Sequence, residues 1–265
     1  MNRPVYTILF MTLITALFIS ALAVLNERAQ PRIMNHREME EMRSVLYAFG
    51  MLPGGVEESG LPPAATIGDL PWKDTEIQED YQNHLRKYRV KIPDSLKQRF
   101  HENDWAKRDS VEIFVRVNDS ENPVAYGFPV DGMGLWGTLS AFAAVSSDLK
   151  NMAGIDFTAQ VETPGLGARI TEQEFKYFFR SLDLSRFEYA QADQPGVVMV
   201  RNKVQTNVEM QTHELQAITG ATQTCDGVLE MINTDLAFYL ALLRDMKRSE
   251  EKLKNNALSL SEESG

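Results

Sequence analysis

The sequence predicts an α+β fold, in which antiparallel β-sheets pack against helices, preceded by one N-terminal transmembrane helix. Segments typical of strands follow one another between residues 111 and 161 without helices between them, which favours antiparallel pairing. A long amphipathic segment, residues 226–246, carries its apolar side chains on one helical face. We therefore expect residues 111–246 to form the core of a single functional domain.

The chain of 265 residues is acidic, with a formal net charge of −10. This charge argues against a nucleic-acid partner, because phosphate backbones are bound by clustered Lys and Arg side chains. The single cysteine, Cys225, excludes an intramolecular disulfide. The four histidines do not have the spacing of metal ligands, so we expect no metal site.

Residues 1–25 are predicted to be a transmembrane anchor. The segment from Val5 to Leu25 carries no charged side chain, and a helix of this length just spans a ~30 Å hydrocarbon core. A cleaved signal peptide is the alternative, because residues 21–23 (Ala-Leu-Ala) resemble a cleavage site. The anchor is favoured because the apolar run exceeds the usual length of a signal-peptide core.

The remaining elements are predicted in chain order. Residues 26–50 are interpreted as a helical stalk, 51–110 as a peripheral region of loops and short helices, and 247–265 as a polar, frayed tail. A capping box at residues 171–174 (Thr-Glu-Gln-Glu) predicts a helix through Leu182. Strands are predicted at 112–117, 124–130, 139–145, 153–161 and 197–204.

Three short segments are candidates for a binding site. Residues 219–224 (Thr-Gly-Ala-Thr-Gln-Thr) precede the last strong helix, and the free N–H groups of a helix start favour a phosphate. A hydroxyl-rich helix cap without a ligand is the other interpretation. Residues 162–167 (Glu-Thr-Pro-Gly-Leu-Gly) form a rigid turn or a backbone-lined binding loop. Residues 131–138 (Asp-Gly-Met-Gly-Leu-Trp-Gly-Thr, with Gly-Leu-Trp at 134–136) place a Trp between glycines in a loop, where its ring either plugs the core or packs on a ligand.

Together these segments resemble the FMN-binding domain of bacterial respiratory complexes, in particular the C subunit of Na+-translocating NADH:quinone reductases. The Thr-Gly-Ala-Thr sequence matches the family's S/T-G-A-T motif, and the order and spacing of all three segments agree. The G subunit of Rnf complexes shares the S/T-G-A-T motif and is the alternative within the family. One departure is Gln216, which stands where the family usually has Asp.

The resemblance implies a covalent cofactor. The last Thr of the motif, here Thr222, would carry FMN through a phosphoester, attached by a separate flavin transferase with FAD as donor. No catalytic side chain and no metal are expected, since the flavin itself performs electron transfer. The candidate cofactor-binding residues are Thr219, Gly220, Ala221, Thr222, Thr224, Leu135, Trp136, Glu162, Thr163 and Leu166.

The resemblance also implies a place in a larger assembly. The chain would be a single-pass subunit of the cytoplasmic (inner) membrane, with its large domain on the periplasmic side. It would relay electrons within the reductase complex to a second flavin on a partner subunit, and from there to quinone. A membrane-tethered binding or assembly module that is never flavinylated is the alternative outside the flavoproteins. Four arginines between residues 28 and 43 favour the opposite topology by the positive-inside rule, which is weak for long domains.

Overall fold

A computed structural model describes residues 3–54, 62, 64–180, 182–188, 196–200 and 213–262, with side chains as far as Ser249. The chain forms two compact units, Met1–Glu41 and Met42–Gly265. The described residues of the first unit, 3–41, lie in helix α1 (Arg3–Ala48), and the last residues of this helix belong to the second unit. The apolar side chains of its first half are exposed, as for Leu13 at 69%. By length and composition, α1 is the one helix among the described residues that is able to cross a membrane.

The second unit is built on a five-stranded antiparallel sheet. Its strands are β1 (Leu85–Lys91), β2 (Ser110–Val117), β3 (Pro123–Met133), β4 (Thr138–Ser146) and β5 (Met152–Ala159), and they pair in chain order. Short connections join β2 to β3, β3 to β4 and β4 to β5, because antiparallel neighbours need only a turn between them, whereas residues 92–109 connect β1 to β2. Two further strands, β6 (Val198–Val200) and β7 (Glu214–Gln216), form a separate parallel pair.

Helix α5 (Thr222–Glu262) covers the sheet and supplies much of the core. Its buried face includes Val228, Ile232, Leu236 and Tyr239, at the spacing of one helical stripe. The Tyr239 ring stacks on Phe128 of β3, with the ring centroids 4.1 Å apart. The predicted fold class, antiparallel sheet packed with helices, is confirmed.

The end of α1 is held to the sheet by buried polar side chains. Ser44 donates a hydrogen bond to the Asp156 carboxylate of β5. The ammonium group of Lys176 lies 2.7 Å from the same carboxylate, and both side chains are almost fully buried. Arg180 donates to the backbone carbonyl of Tyr47 at 2.7 Å, near the C-terminus of α1, where a cation is favoured by the helix dipole.

Three sequence predictions differ from the structure. The predicted peripheral helices are present at α2 (Asp74–His84) and α3 (Asp94–Arg99), but residues 85–91 form the edge strand β1 instead. The capping box at Thr171 is absent, because its hydroxyl donates back to the Ala168 carbonyl, and helix α4 covers only Gln173–Tyr177. The sequence predicts a frayed tail after residue 246, whereas α5 continues to Glu262. Of the strand predicted at 197–204, residues 201–204 lie outside the described residues.

Candidate functional site

The three motif segments meet beside the first turn of α5. Residues 134–137 form the turn between β3 and β4, residues 162–167 follow β5, and residues 219–221 lead into α5 at Thr222. Segments that are far apart in sequence are therefore adjacent in the fold. The cluster consists of a central carboxylate, close-packed glycines, a helix terminus and an apolar rim.

Glu162 is the central carboxylate. It is 5% exposed, and its two oxygens have different partners. Oε1 accepts the backbone N–H of Trp136 at 3.0 Å, and Oε2 accepts the hydroxyl of Thr224. The Trp136 indole N–H in turn donates to the Thr163 hydroxyl at 3.2 Å. One side chain thus joins the Gly-Leu-Trp turn to both the 162–167 loop and the start of α5.

Glycines allow the segments to approach this closely. A Cβ on Gly134 would overlap Glu162 Oε1 and lie 3.0 Å from its carboxyl carbon, and a Cβ on Gly167 would lie 2.7 Å from Oε2. Gly220 has a φ of +82°, a conformation that glycine adopts without strain. The Leu166 side chain packs against it, at 3.2 Å from where a Cβ would be. One Gly in each motif is therefore favoured around the same cluster, Gly134 and Gly167 by close contacts and Gly220 by its backbone conformation.

The N-terminus of α5 presents unused hydrogen-bond donors. In the turn before the helix, the Ala221 N–H donates a hydrogen bond to the Ile218 carbonyl. The next backbone hydrogen bond runs from the Cys225 N–H to the Ala221 carbonyl. Within the described part of the chain, the N–H groups of residues 222–224 have no backbone acceptor. Thr222 is exposed at the first residue of α5, so its hydroxyl is accessible at the helix end where these N–H groups and the positive end of the helix dipole lie.

An exposed apolar rim borders this terminus. Five large apolar side chains keep between 43% and 67% of their surface accessible, namely Met133, Leu135, Trp136, Val161 and Leu166. Exposed apolar groups gathered in one place are typical of a binding surface. Met133 and Val161 are not among the predicted site residues, although Met133 lies in the 131–138 segment and Val161 directly precedes Glu162.

A cavity of about 290 Å³ shares Met133 with the rim, and five of its thirteen lining residues are acidic. At its base, the buried Asp235 carboxylate accepts hydrogen bonds from Asn103, the Trp105 indole N–H and the Asp131 backbone N–H, at 2.9–3.0 Å. Burial raises the pKa of Asp235 to about 6, against the opposing effect of these donors. Among the described residues, no group of three His, Cys, Asp or Glu side chains is arranged to hold a metal ion.

The structure therefore places every predicted site residue in or beside this cluster, but in two different environments. Thr219, Gly220 and Thr222 are exposed, as are Thr163 and the apolar rim. Ala221, Glu162 and Thr224 are buried, the last at 1% exposure. The buried polar side chains bond to other parts of the protein, whereas the exposed ones are accessible to a ligand.

Gln216 is the departure from the family pattern. It lies in β7, where its amide N–H donates to the Ala217 carbonyl at 3.3 Å. The hydrogen bond is to the backbone directly ahead of the Thr-Gly-Ala-Thr segment. A neutral amide at this position therefore supports the local backbone without adding a charge to the site.

Comparison with known proteins agrees with this geometry. Residues 134–237 match the FMN-binding domain family. The chain is 36% identical over 125 residues to the C subunit of the Na(+)-translocating NADH-quinone reductase of Chlamydia pneumoniae, covering 44% of this chain and 39% of that protein. It is 32% identical over 105 residues to the corresponding protein of Pseudomonas aeruginosa, covering 40% of this chain and 39% of that protein. The chain thus matches about two fifths of the length of these curated relatives.

Solved structures extend the likeness over most of the chain. The crystal structure of Shewanella oneidensis NqrC superposes with a TM-score of 0.59 and 18% identity, covering 80% of this chain and 98% of that one. The C subunit from Parabacteroides distasonis gives a TM-score of 0.53 and 23% identity, covering 80% and 95%. At these identities the superpositions establish the fold. In sequence, the chain is similar to C subunits of Na+-translocating NADH-quinone reductases, and its residues 134–237 are similar to the FMN-binding domain family.

Proposed function

We propose that this chain is a membrane-anchored electron-transfer subunit of a Na+-translocating NADH-quinone reductase, with FMN bound covalently through Thr222. The observation that carries the proposal is the position of Thr222. Its hydroxyl is exposed at the first residue of α5, and the other two motifs of the FMN-binding family lie beside it. The activity belongs to the whole complex, and this chain contributes one relay site.

The residues present fit FMN. The unused N–H groups at residues 222–224 and the helix dipole suit its phosphate, which the Thr222 phosphoester would hold. The exposed side chains of Leu135, Trp136 and Leu166 offer an apolar surface for the ring. When bound, FMN supplies one- and two-electron transfer.

The role of the protein is then to position and shield the cofactor. The hydrogen bond from the Trp136 indole to Thr163 sets the orientation of the indole ring at the edge of the rim. The Thr163 hydroxyl is still able to donate a hydrogen bond of its own, because accepting the indole N–H does not use its proton. A ring held by a single covalent link at its phosphate end is tuned through these contacts, because the link does not alter the ring itself.

The remaining parts of the proposal concern the assembly. Helix α1 would anchor the chain in the cytoplasmic membrane by a single pass, with the domain on the periplasmic side. Electrons would pass from another redox centre of the complex to this FMN and then to a flavin on a partner subunit, on the way to quinone. A flavin transferase would attach the cofactor during maturation. The names of the relatives and the match to the FMN-binding family support this arrangement.

Fluorescence of the denatured chain tests the covalent link. The full-length protein, co-expressed with a flavin transferase, should give a band that fluoresces under ultraviolet light after denaturing electrophoresis, since only covalently attached flavin migrates with the band. Thr222→Ala should remove the fluorescence. Thr75→Ala is the matched control, because it removes an exposed Thr hydroxyl from the first turn of helix α2, outside the predicted site, and should leave the signal intact.

Peptide mass spectrometry then locates the adduct. An FMN-sized mass increase on the peptide that contains Thr222, fragmenting to that residue, is the expected result. An adduct on Thr219 or Thr224 would refute the assignment. A wild-type chain that carries no flavin under these conditions would favour a membrane-tethered assembly module instead.

A further inference from the structure

We infer that Glu162 is a positioning residue that also holds a fixed negative charge beside the flavin site and thereby lowers the reduction potential of the flavin. The inference rests on the proposed function for the presence of FMN at Thr222. It assigns Glu162 a role different from that of a ring contact, because its carboxylate is buried and both of its oxygens are used by the protein.

The hydrogen bonds around Glu162 are those of a carboxylate. Oε1 accepts a hydrogen bond from the Trp136 backbone N–H, and Oε2 accepts one from the Thr224 hydroxyl, so each oxygen has a donor. Its own backbone N–H donates to the Gln160 side-chain oxygen at 2.6 Å, which fixes the residue from the other side. A carboxylate that accepts from both sides is held in one orientation by neutral donors.

Basic side chains do not neutralise this charge. In the regions that the structure describes, the ion pairs nearest in sequence join Arg169 to Glu172 and to Glu174, and Glu162 takes part in none. The positive end of the α5 dipole is the compensating field, since Thr224 lies in the first turn of that helix. A buried charge without a counter-ion is costly, and such a charge is retained mainly where it has a purpose.

The Glu162 carboxylate lies close to the proposed flavin site. Glu162 is bonded to Trp136, and its partner Thr224 lies two residues after Thr222. Each electron that the flavin takes up adds one negative charge unless a proton from the solvent follows it. A nearby carboxylate opposes this charge, and burial reduces the screening by water and salt. The carboxylate therefore makes reduction less favourable and the flavin a stronger reductant.

Glu162→Gln separates charge from geometry. The amide oxygen of Gln accepts the Trp136 N–H, and its NH2 group donates to the Thr224 hydroxyl, which is also an acceptor. Both hydrogen bonds are therefore kept while the charge is lost. Glu230→Gln is the matched control, since it removes one negative charge from an exposed position two turns along α5. Thr224→Val tests the geometry alone, because it keeps the charge and removes the hydroxyl.

The experiment is a redox titration of the full-length, flavinylated chain in detergent, with dithionite as the source of electrons and in-gel fluorescence as the check on flavin content. Glu162→Gln should retain covalent flavin and titrate at a more positive potential than wild type. Glu230→Gln should shift the potential much less. Thr224→Val should lower the thermal unfolding midpoint, and its change in potential should not reproduce that of Glu162→Gln.

Three results would overturn the inference. One is a Glu162→Gln potential equal to wild type, and another is a shift no larger than that of Glu230→Gln. The third is loss of covalent flavin in Glu162→Gln alone, because the carboxylate would then be required for attachment. Failure of the proposed function is recognised separately, because in that case wild type itself carries no flavin. The thermal unfolding of Glu162→Gln and Thr224→Val in the flavin-free chain then still reports whether the Glu162–Thr224 bond joins the segments.

Discussion

Gly227 of α5 lies against the backbone of Met133, the last residue of β3. A Cβ at position 227 would overlap the Met133 carbonyl oxygen and lie 3.0 Å from its carbonyl carbon. This contact sets the distance between the first turns of α5 and the end of β3. Because the Gly134–Trp136 turn follows Met133 directly, the same contact places that turn beside Thr222.

Gly227→Ala should destabilise the protein, although the same change in an ordinary helix interior stabilises by about 1 kcal/mol. The added methyl group has no space against the Met133 backbone, and overpacking of this kind costs roughly 1–3 kcal/mol. Chemical unfolding of the full-length chain in detergent measures the change. Asp226→Ala, at the exposed neighbouring position, is the control and should have little effect. A stabilised Gly227→Ala variant would show that α5 does not need this close contact.

Lys176→Met should be more destabilising than the double variant Lys176→Met/Asp156→Asn. Removing the ammonium group leaves a buried carboxylate without its cation, which costs about 3–5 kcal/mol. Asn at position 156 is neutral and still accepts the Ser44 hydroxyl, so the double variant recovers part of the loss. Equilibrium unfolding free energies provide the comparison. Lys107→Met, which breaks an exposed ion pair with Asp104, should cost no more than about 1 kcal/mol. A double variant as unstable as the sum of its single changes would contradict the prediction.

Asp235 should make the protein less stable as the pH rises from about 4 to 6. Its pKa is about 6 in the folded protein and near 3.8 in the unfolded chain, so between these values the folded state holds a proton that the unfolded state releases. The unfolding free energy therefore falls across this window, by about 3 kcal/mol in total. Asp235→Asn removes this dependence, and the difference between variant and wild type should grow from pH 4 to pH 7. Asp104→Asn is the control, because that exposed carboxyl has its pKa lowered by Lys107 and stays ionised through the window. Parallel pH profiles for wild type and Asp235→Asn would contradict the assignment.

Local sequence patterns predict most of the sheet and the long helix. Strands β2 to β5 are rich in β-branched and aromatic residues and are separated by turn residues, and α5 carries one continuous apolar stripe. Strand β1 escapes prediction because it is an edge strand in which most side chains are charged and only Leu85 is buried. Charged edge strands protect sheets from edge-to-edge pairing, so they lack the apolar alternation on which strand prediction depends.

The candidate site is predictable in its parts but not in its hydrogen bonding. The motifs identify Glu162, Trp136 and Thr222, because hydroxyls, glycines and an exposed Trp are unusual in those positions. No local pattern shows that the Glu162 carboxylate turns inward to reach Thr224, a residue 62 positions later in the chain. The sequence therefore groups Glu162 and Thr224 with residues that prove to be exposed, since burial depends on contacts that are distant in sequence.

A fusion of alkaline phosphatase to Gly265 should be active in the periplasm if the proposed topology is correct. The enzyme needs disulfide bonds, which form outside the cytoplasm. A fluorescent protein that matures only in the cytoplasm should be dark at the same position. The arginines between residues 28 and 43 favour the opposite orientation, so the experiment decides between the local charge rule and the proposed assembly. Bright fluorescence with an inactive phosphatase would overturn both the topology and the proposed order of electron transfer.

Thr163→Val and Trp136→Ala should each shift the potential of the flavin by tens of millivolts while Thr222 stays flavinylated. The Trp136 ring is 67% exposed beside Thr222, and aromatic contact of this kind contributes ~0.5–1.5 kcal/mol beyond its area. In a one-electron couple, about 1.4 kcal/mol corresponds to about 59 mV. Because the indole N–H donates to Thr163, the two residues form one unit, and the double variant should shift the potential by less than the sum of the single shifts. Tyr88→Ala is the control, since it removes a similarly exposed aromatic ring from edge strand β1. A potentiometric titration of the full-length chain measures these potentials. If both single variants have the same potential as wild type, the two loops only support the fold. The site then consists of Thr222 and the N-terminus of α5 alone.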